Sequence, residues 1–434
     1  MRVKVSKGKT IAQVVKDGLC TGCGTCVGTC PVDAIEMVVE HKRGIYIPQL
    51  DEEKCNQCGL CFEVCPGHAV DFKQLNLEIF GKEPEDVLIG NYLNCYIGYA
   101  TDYNIRYNAS SGGMVTALLI YALEQGMIDG ALVTRMKKDK PLEPEPFIAR
   151  TKDEIIEAAK SKYCPVPANI ALKEILMAKE GERFAVVGLP CHVHGIRKGE
   201  MVNPKLRERI VLHIGIFCGT NTSFLGTEFQ LRRMGIRGEE VAKLNYRGEG
   251  WPGSMTVELK SGQRKLSELY YYYYDSKFCS FVSWRCSVCT DQASELADVS
   301  LGDAWLPEVT ETDKVGSSII VARSKTGDDI LQQAADKGEI ELRLVRAEKV
   351  IESQRGFLGK KKDSKARLNT SRRLGKKVPV FSGQLLSPSV WSYFLSGLLY
   401  SESFLASKRY CWGLLNVYCS LLGYIGRLKS KLGL

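Results

Sequence analysis

Several common protein classes are excluded by what this sequence lacks. Its first seven residues, Met1-Arg2-Val3-Lys4-Val5-Ser6-Lys7, hold no continuous apolar stretch, so no secretory signal is expected. No G-x-G-x-x-G run stands between a strand and a helix, which removes the Rossmann fingerprint. Zinc-finger, helix-turn-helix and aromatic ribonucleoprotein motifs are absent, and nucleic acid is not an expected partner. No His/carboxylate pair stands out as general acid and base, so no catalytic side chain is named. Acidic residues nearly vanish beyond Val378. The uncharged stretch Tyr410 to Gly426 contains Asn416, Ser420 and three glycines, and is short of the about 20 apolar residues of a membrane span. It reads as a helix docked on the protein or a partner subunit, with an interfacial helix anchored by basic residues and a span as the alternatives.

What the chain has in quantity is cysteine, 17 in 434 residues. Nearly half of them sit in two short runs, which points to a reducing interior and not to a secreted disulfide scaffold. The expected location is cytoplasmic, with the inner membrane surface as the seat should the tail bind lipid. The length allows two to four domains, and 44% hydrophobic with 25% charged residues is the composition of a soluble globular chain.

The two runs are Cys20-Thr21-Gly22-Cys23-Gly24-Thr25-Cys26-Val27-Gly28-Thr29-Cys30-Pro31 and Cys55-Asn56-Gln57-Cys58-Gly59-Leu60-Cys61-Phe62-Glu63-Val64-Cys65-Pro66. Each is C-x2-C-x2-C-x3-C-P, the run that holds iron–sulfur clusters in bacterial ferredoxins, whose fourth cysteine serves the other cluster. Cys20, Cys23, Cys26 and Cys65 are therefore expected to bind one [4Fe-4S] cluster, and Cys55, Cys58, Cys61 and Cys30 a second. Zinc or disulfides are the weaker alternatives. Ala34 to Met37 and Ala69 to Phe72 read as matching short strands, one per half, and Lys73 to Asn94 as a polar connection.

Further on, Asn108-Ala109-Ser110-Ser111-Gly112-Gly113 precedes a buried helix from Met114 and an apolar strand, Ile128 to Val133. Hydroxyls, backbone N–H groups and the positive helix end suit an anion such as a nucleotide phosphate, with plain helix capping as the alternative. Asp153 to Lys160 reads as helical. Phe184 to Gly188 and Ile210 to Phe217 read as strands, each ending at a cysteine, Cys191 and Cys218, where open α/β sheets place ligands. Met255 to Leu259 is an alternating strand, and Tyr270 to Tyr274 favour another. The pair Cys286-x2-Cys289 is ambiguous between zinc, a dithiol and a cluster. Beside two clusters, a third [4Fe-4S] site on Cys191, Cys218, Cys286 and Cys289 is expected, with Cys279 in reserve.

Asn108 to Gly113, Gly188-Leu189-Pro190-Cys191, Ile216-Phe217-Cys218-Gly219, Arg247-Gly248-Glu249-Gly250-Trp251-Pro252-Gly253, Cys286-x2-Cys289-Thr290-Asp291 and Ala297 to Asp303 resemble, in that order, the coenzyme F420 hydrogenase/dehydrogenase beta-subunit family. The resemblance covers roughly residues 90 to 360. It implies an FAD-binding flavoprotein with an additional [4Fe-4S] cluster. Ser110, Ser111, Gly112 and Gly113 would hold FAD phosphate, and Lys162 and Tyr163 would lie near the same cofactor. It also implies electron exchange with a hydride carrier, coenzyme F420 first and a small organic substrate second, and with a partner protein or ferredoxin. A non-catalytic electron-transfer subunit is the competing class. One departure is His192 after Cys191, where members often have Gln.

The expected fold is thus α+β and α/β. A two-cluster ferredoxin-like module spans 1–75, and a mixed α/β flavin-binding domain has its first part in 88–180 and its second in 181–355. A basic linker and helical tail fill 356–434. From Arg355 to Lys377, ten Lys or Arg stand against Asp363, a surplus (10 − 1) equal to the formal net charge of +9. That run reads as a solvated linker or as a surface that steers acidic F420 or binds a membrane or protein.

Overall fold

The apolar runs around Leu132, Val186, Ile214, Leu301 and Ile320 are fully or almost fully buried, as strands covered on both faces must be. They lie side by side in an eight-stranded sheet. In chain order its strands are β1 Asn94–Ala100, β2 Gly130–Met136, β3 Pro144–Ala149, β4 Phe184–Gly188, β5 Ile210–Ile216, β6 Val299–Asp303, β7 Ser318–Ala322 and β8 Ile340–Val345. The spatial order is β8-β1-β7-β6-β5-β4-β2-β3. The four central strands β6, β5, β4 and β2 are parallel, and the flanking pairs are antiparallel. The computed structural model describes residues 8–268, 280–383 and 385–419. Tyr270 to Tyr274, Cys279 and residues 420–426 of the uncharged stretch lie outside them.

Alternation along each strand divides the core. Tyr96, Leu212, Ile214 and Ile320 face helices Met114–Glu124 and Lys325–Asp336. Val186 and Ile210 face Leu172–Met177 and Pro190–Val202, while Ile97 and Ile319 face Ala347–Ser353 and Arg355–Lys362. β1 from the first part of the chain inserts between β7 and β8 from the second, so 88–355 builds one sheet. Residues 241–268 add a separate three-stranded antiparallel sheet.

The cysteine-rich module departs from its expected symmetry. Ile35–Glu40 pairs antiparallel with Ile45–Leu50, but Ala69–Asp71 pairs in parallel with Val380–Ser382, from the far end of the chain. The expected polar connection after Lys73 begins inside a helix, Phe72–Phe80, whose Phe72, Leu75 and Ile79 turn inward and whose Asp71 carboxylate accepts from the Gln74 N–H. The polar residues there belong to its outer face.

The basic run is not a solvated linker. It forms helices Arg355–Lys362 and Ser364–Arg373, with Lys361 only 6% exposed. Beyond them stands helix Val390–Ala406. Among the described residues, no helix is long and apolar enough to cross a membrane.

Candidate functional site

Two tight loops present the first eight cysteines. Gly24 and Gly59, each at φ above +80°, cap the short helices Thr25–Gly28 and Leu60–Glu63, a conformation that favours glycine. Cys20, Cys23, Cys26 and Cys65 line one small cavity. Burial pushes the Cys26 thiol well above its ordinary value, and Cys23, Cys20 and Cys65 push it further. Around Cys61, raised to about 11 first by burial, the neighbouring thiols are Cys58, Cys30 and Cys55. Backbone N–H groups point at sulfur: Gly22 N to Cys20 Sγ at 3.3 Å, Gln57 N to Cys55 Sγ at 3.4 Å, and Gly67 N to Cys65 Sγ at 3.3 Å.

Cys191, Cys218, Cys286 and Cys289 also converge, although 98 residues separate the first from the last. Burial raises the Cys191 thiol most, and then Cys23, Cys286, Cys218 and Cys289 add to it. Cys23 among those neighbours puts this quartet beside the first. Buried thiols that oppose one another's ionisation keep their thiolate form only around a cation, which suits iron. Among the described residues, no three His, Cys, Asp or Glu side chains are arranged to hold a single ion. A cubane takes one thiolate per iron, so its ligands need not converge on one point as those of a single ion do.

A cavity of about 300 Å³ opens at the carboxyl ends of the parallel strands, the ligand position of open α/β sheets. Ser110, Ser111 and Gly113 line one side, and Cys218 to Asn221 another. Gly113, at φ +74°, caps helix Met114–Glu124 with no side-chain bond, and the first-turn residues Met114 and Val115 line the cavity with their N–H groups unpaired in the helix. Gly112 has no room for a Cβ, which would stand 2.7 Å from Gly98 O and 2.9 Å from Ser318 N. The Ser111 hydroxyl lies 3.0 Å from both Ser317 O and Ser318 Oγ, so it holds the loop. Ser110 Oγ accepts from Ser161 N at 2.8 Å and keeps its own proton to donate.

Lys162 and Tyr163 also line the cavity, but the Lys162 ammonium donates to the carbonyls of Ala158, Ala159 and Lys160. Burial brings its pKa down to about 7. Lys160 was not foreseen. It has φ +73°, a cost of order 1–3 kcal/mol for a non-glycine residue; the residue lines the cavity, its ammonium lies against Gly248, and burial lowers its pKa.

Below the cavity, Arg247 makes two parallel bonds to Asp303, at 2.9 and 2.8 Å, and its Nε donates to Pro252 O. Trp251 Nε1 donates to Asp303 Oδ1 at 2.7 Å. His192 Nδ1 accepts from Leu189 N and Nε2 donates to Val166 O, and burial lowers its pKa to about 4. This is a neutral imidazole in a hydrogen-bonding position that a Gln amide could also fill. A second buried set was not foreseen either: His213 lies 3.0 Å from Asp298 and 2.6 Å from Glu200, with Arg197 bridging the two acids.

Three cations of the basic helices turn inward, while Arg355, Lys362, Lys365, Arg372, Arg373, Lys376 and Lys377 are exposed. Lys361 pairs with buried Glu295, Lys360 donates to Gly219 O, and Arg367 donates to Ser287 O and Cys289 O. These cations clasp the loops that carry Cys218, Cys286 and Cys289. From the other side, Arg285 donates to Gly67 O and Pro66 O, and Lys198 to Cys65 O, joining the third quartet to the first.

Residues 95–173 and 181–348 match the N-terminal and C-terminal models of the coenzyme F420 hydrogenase/dehydrogenase beta subunit, and residues 19–69 match a 4Fe-4S dicluster domain. The chain is 30% identical over 302 residues to the coenzyme F420 hydrogenase subunit beta of Methanothermobacter thermautotrophicus, covering 68% of this chain and 99% of that one. It is 29% identical to the coenzyme F420-dependent sulfite reductase of Methanocaldococcus jannaschii, covering 79% of this chain and 52% of that protein. In fold it is similar to a chain of the F420-reducing [NiFe] hydrogenase complex of Methanosarcina barkeri, with a TM-score of 0.54 at 24% identity over 68% of this chain and 98% of that one.

Proposed function

The chain belongs to the coenzyme F420 hydrogenase/dehydrogenase beta-subunit family with a 4Fe-4S dicluster domain in front, and from that premise we propose an FAD-dependent oxidoreductase that exchanges electrons between coenzyme F420 and a partner protein. The observation that carries the proposal is that the Ser110–Gly113 turn and Cys218 line the same cavity. A flavin bound there supplies the conversion between a hydride, taken as an electron pair, and single electrons. The protein's own part is binding and insulation. Ser110 Oγ and the first-turn N–H groups of helix Met114–Glu124 would hold the phosphate oxygens of the flavin, and Lys160 would offset their charge. Gly112 and Ser111 hold the turn against β7, and Arg247 with Asp303 fixes the floor. His192, neutral, keeps the Leu189–Cys191 turn in place without adding charge.

The cysteines would hold the clusters through which single electrons pass to the partner. Cys191, Cys218, Cys286 and Cys289 hold the cluster beside the cavity. Cys20, Cys23, Cys26 and Cys65 hold the next, and Cys55, Cys58, Cys61 and Cys30 the outermost, where Asn56 and Gln57 are exposed to a partner. The test is cofactor content after anaerobic purification. FAD in about equal amount to protein and about twelve irons per chain are expected. Absence of flavin, or zinc in place of iron, contradicts the proposal.

A further inference from the structure

Helix Val390–Ala406 has its polarity reversed. Ser392 and Ser396 are its buried residues along with Ala406, and Tyr400 OH donates to Arg367 O, while Tyr393 OH accepts from Asn369. Its outward face carries Val390, Trp391, Phe394, Leu395, Leu398 and Leu405, with Val390 89% and Trp391 63% exposed. These positions recur at helical spacing, so the exposure is one continuous stripe. The next helix repeats the pattern. Trp412, Leu415 and Cys419 pack on Leu225, Phe229 and Phe281, while Tyr410, Leu414, Val417 and Tyr418 are exposed. More than half of the large hydrophobic side chains exposed among the described residues fall between 386 and 419.

In sequence, the charge around these helices is nearly all of one sign, although Arg409 is paired with Glu228. From Val378 to the last residue the sequence has Glu402 as its single acid, against Lys408, Arg409, Arg427, Lys429 and Lys431. Immediately before it stand Arg372, Arg373, Lys376 and Lys377. An apolar helical stripe with Trp, Phe and Tyr, set among cations and too short to cross, is the chemistry of a helix lying in a bilayer interface, where acyl chains take the stripe and anionic headgroups the cations. A soluble protein partner would have to present both a wide apolar face and an acidic rim.

We propose that the two successive tail helices, 390–406 and 412–419, seat this protein on the surface of an anionic lipid bilayer. The proposal is independent of the flavin and cluster assignments, and its readout is lipid binding alone. Full-length holoprotein is floated with vesicles of phosphatidylcholine containing phosphatidylglycerol, and with phosphatidylcholine alone. It is expected to float with the first, at least about tenfold more weakly with the second, and to be partly released by high salt. Trp391→Glu with Leu398→Glu is expected to abolish flotation with mass and visible spectrum unchanged. Leu414→Glu with Val417→Glu serves if the first pair fails to fold.

Wild-type protein that stays unbound to both vesicles overturns the proposal, as does a folded double variant that floats as well as wild type. If wild type does not float but a chain ending at Cys419 does, the segment 420–434 covers the face. If the variants instead split an oligomer by light scattering, a second copy covers it. Either result also overturns the proposal.

Discussion

Asp303, at the end of β6, accepts hydrogen bonds on its carboxylate from Arg247 and Trp251 and on its carbonyl from Ser353, Gln354 and Trp305 N, directly under the cavity. Replacing it with Asn leaves the Arg247 guanidinium buried without its counter-charge, and a loss of about 3–5 kcal/mol in chemical denaturation is expected. His213 lends itself to a pH test. Burial and then Arg197 oppose its charge, but Glu200 and Asp298 outweigh them and hold its pKa above the ordinary value. Its folded value is raised, so its contribution is full below the unfolded value of about 6.5 and is lost as pH rises through the folded one. The stability advantage of wild type over His213→Gln is therefore expected to shrink as pH rises from about 6.5 upward. Neither of these side-chain groups was legible in the sequence. Arg247 and Asp303 stood in separate recognised motifs, and only sheet topology brings residues 56 positions apart into a bidentate pair.

The element that joins the two halves of the molecule is helix Pro190–Val202 with the adjoining segment around Asn169. Asn169 N donates to Cys23 O, and its amide reaches Thr25 Oγ1 and His192 O. Gly28 packs so closely that a Cβ there would stand 2.1 Å from Asn169 O. Gly28→Ala is expected to cost about 1–3 kcal/mol, because a backbone carbonyl cannot swing aside, and to lower the melting temperature of the whole chain. The elements the sequence made plain were the ones with unbroken apolar runs or fixed cysteine spacing: β4, β5, helix Met114–Glu124 and both cluster loops. Those it hid were half-polar. Phe72–Phe80 and the basic helices keep a narrow buried stripe among charges, so composition reads as connection where packing makes a helix. The pairing of Val380–Ser382 with Ala69–Asp71 spans more than 300 residues, and no local signal carries it.

At the scale of the whole molecule, three cysteine quartets extend from the sheet's cavity to an exposed loop, and cations from four separate segments hold the middle of that line together. Cys65 comes from the second loop but serves the first quartet, so Cys65→Ala is expected to lower iron content by about one cubane, four irons, and to break conduction to the outermost cluster while flavin stays bound. Iron and flavin assays on the purified variant check this. Cys218 is the thiol that touches both the cavity and the line. The most direct measurement is therefore anaerobic rapid mixing of reduced coenzyme F420 with wild type and with Cys218→Ala, following flavin and iron–sulfur absorbance together. The account predicts that both chromophores bleach in wild type, and that in Cys218→Ala the flavin bleaches while the ferredoxin-type clusters stay oxidised. Clusters that bleach equally fast in the variant, or a flavin that ignores reduced F420 in both proteins, would contradict it.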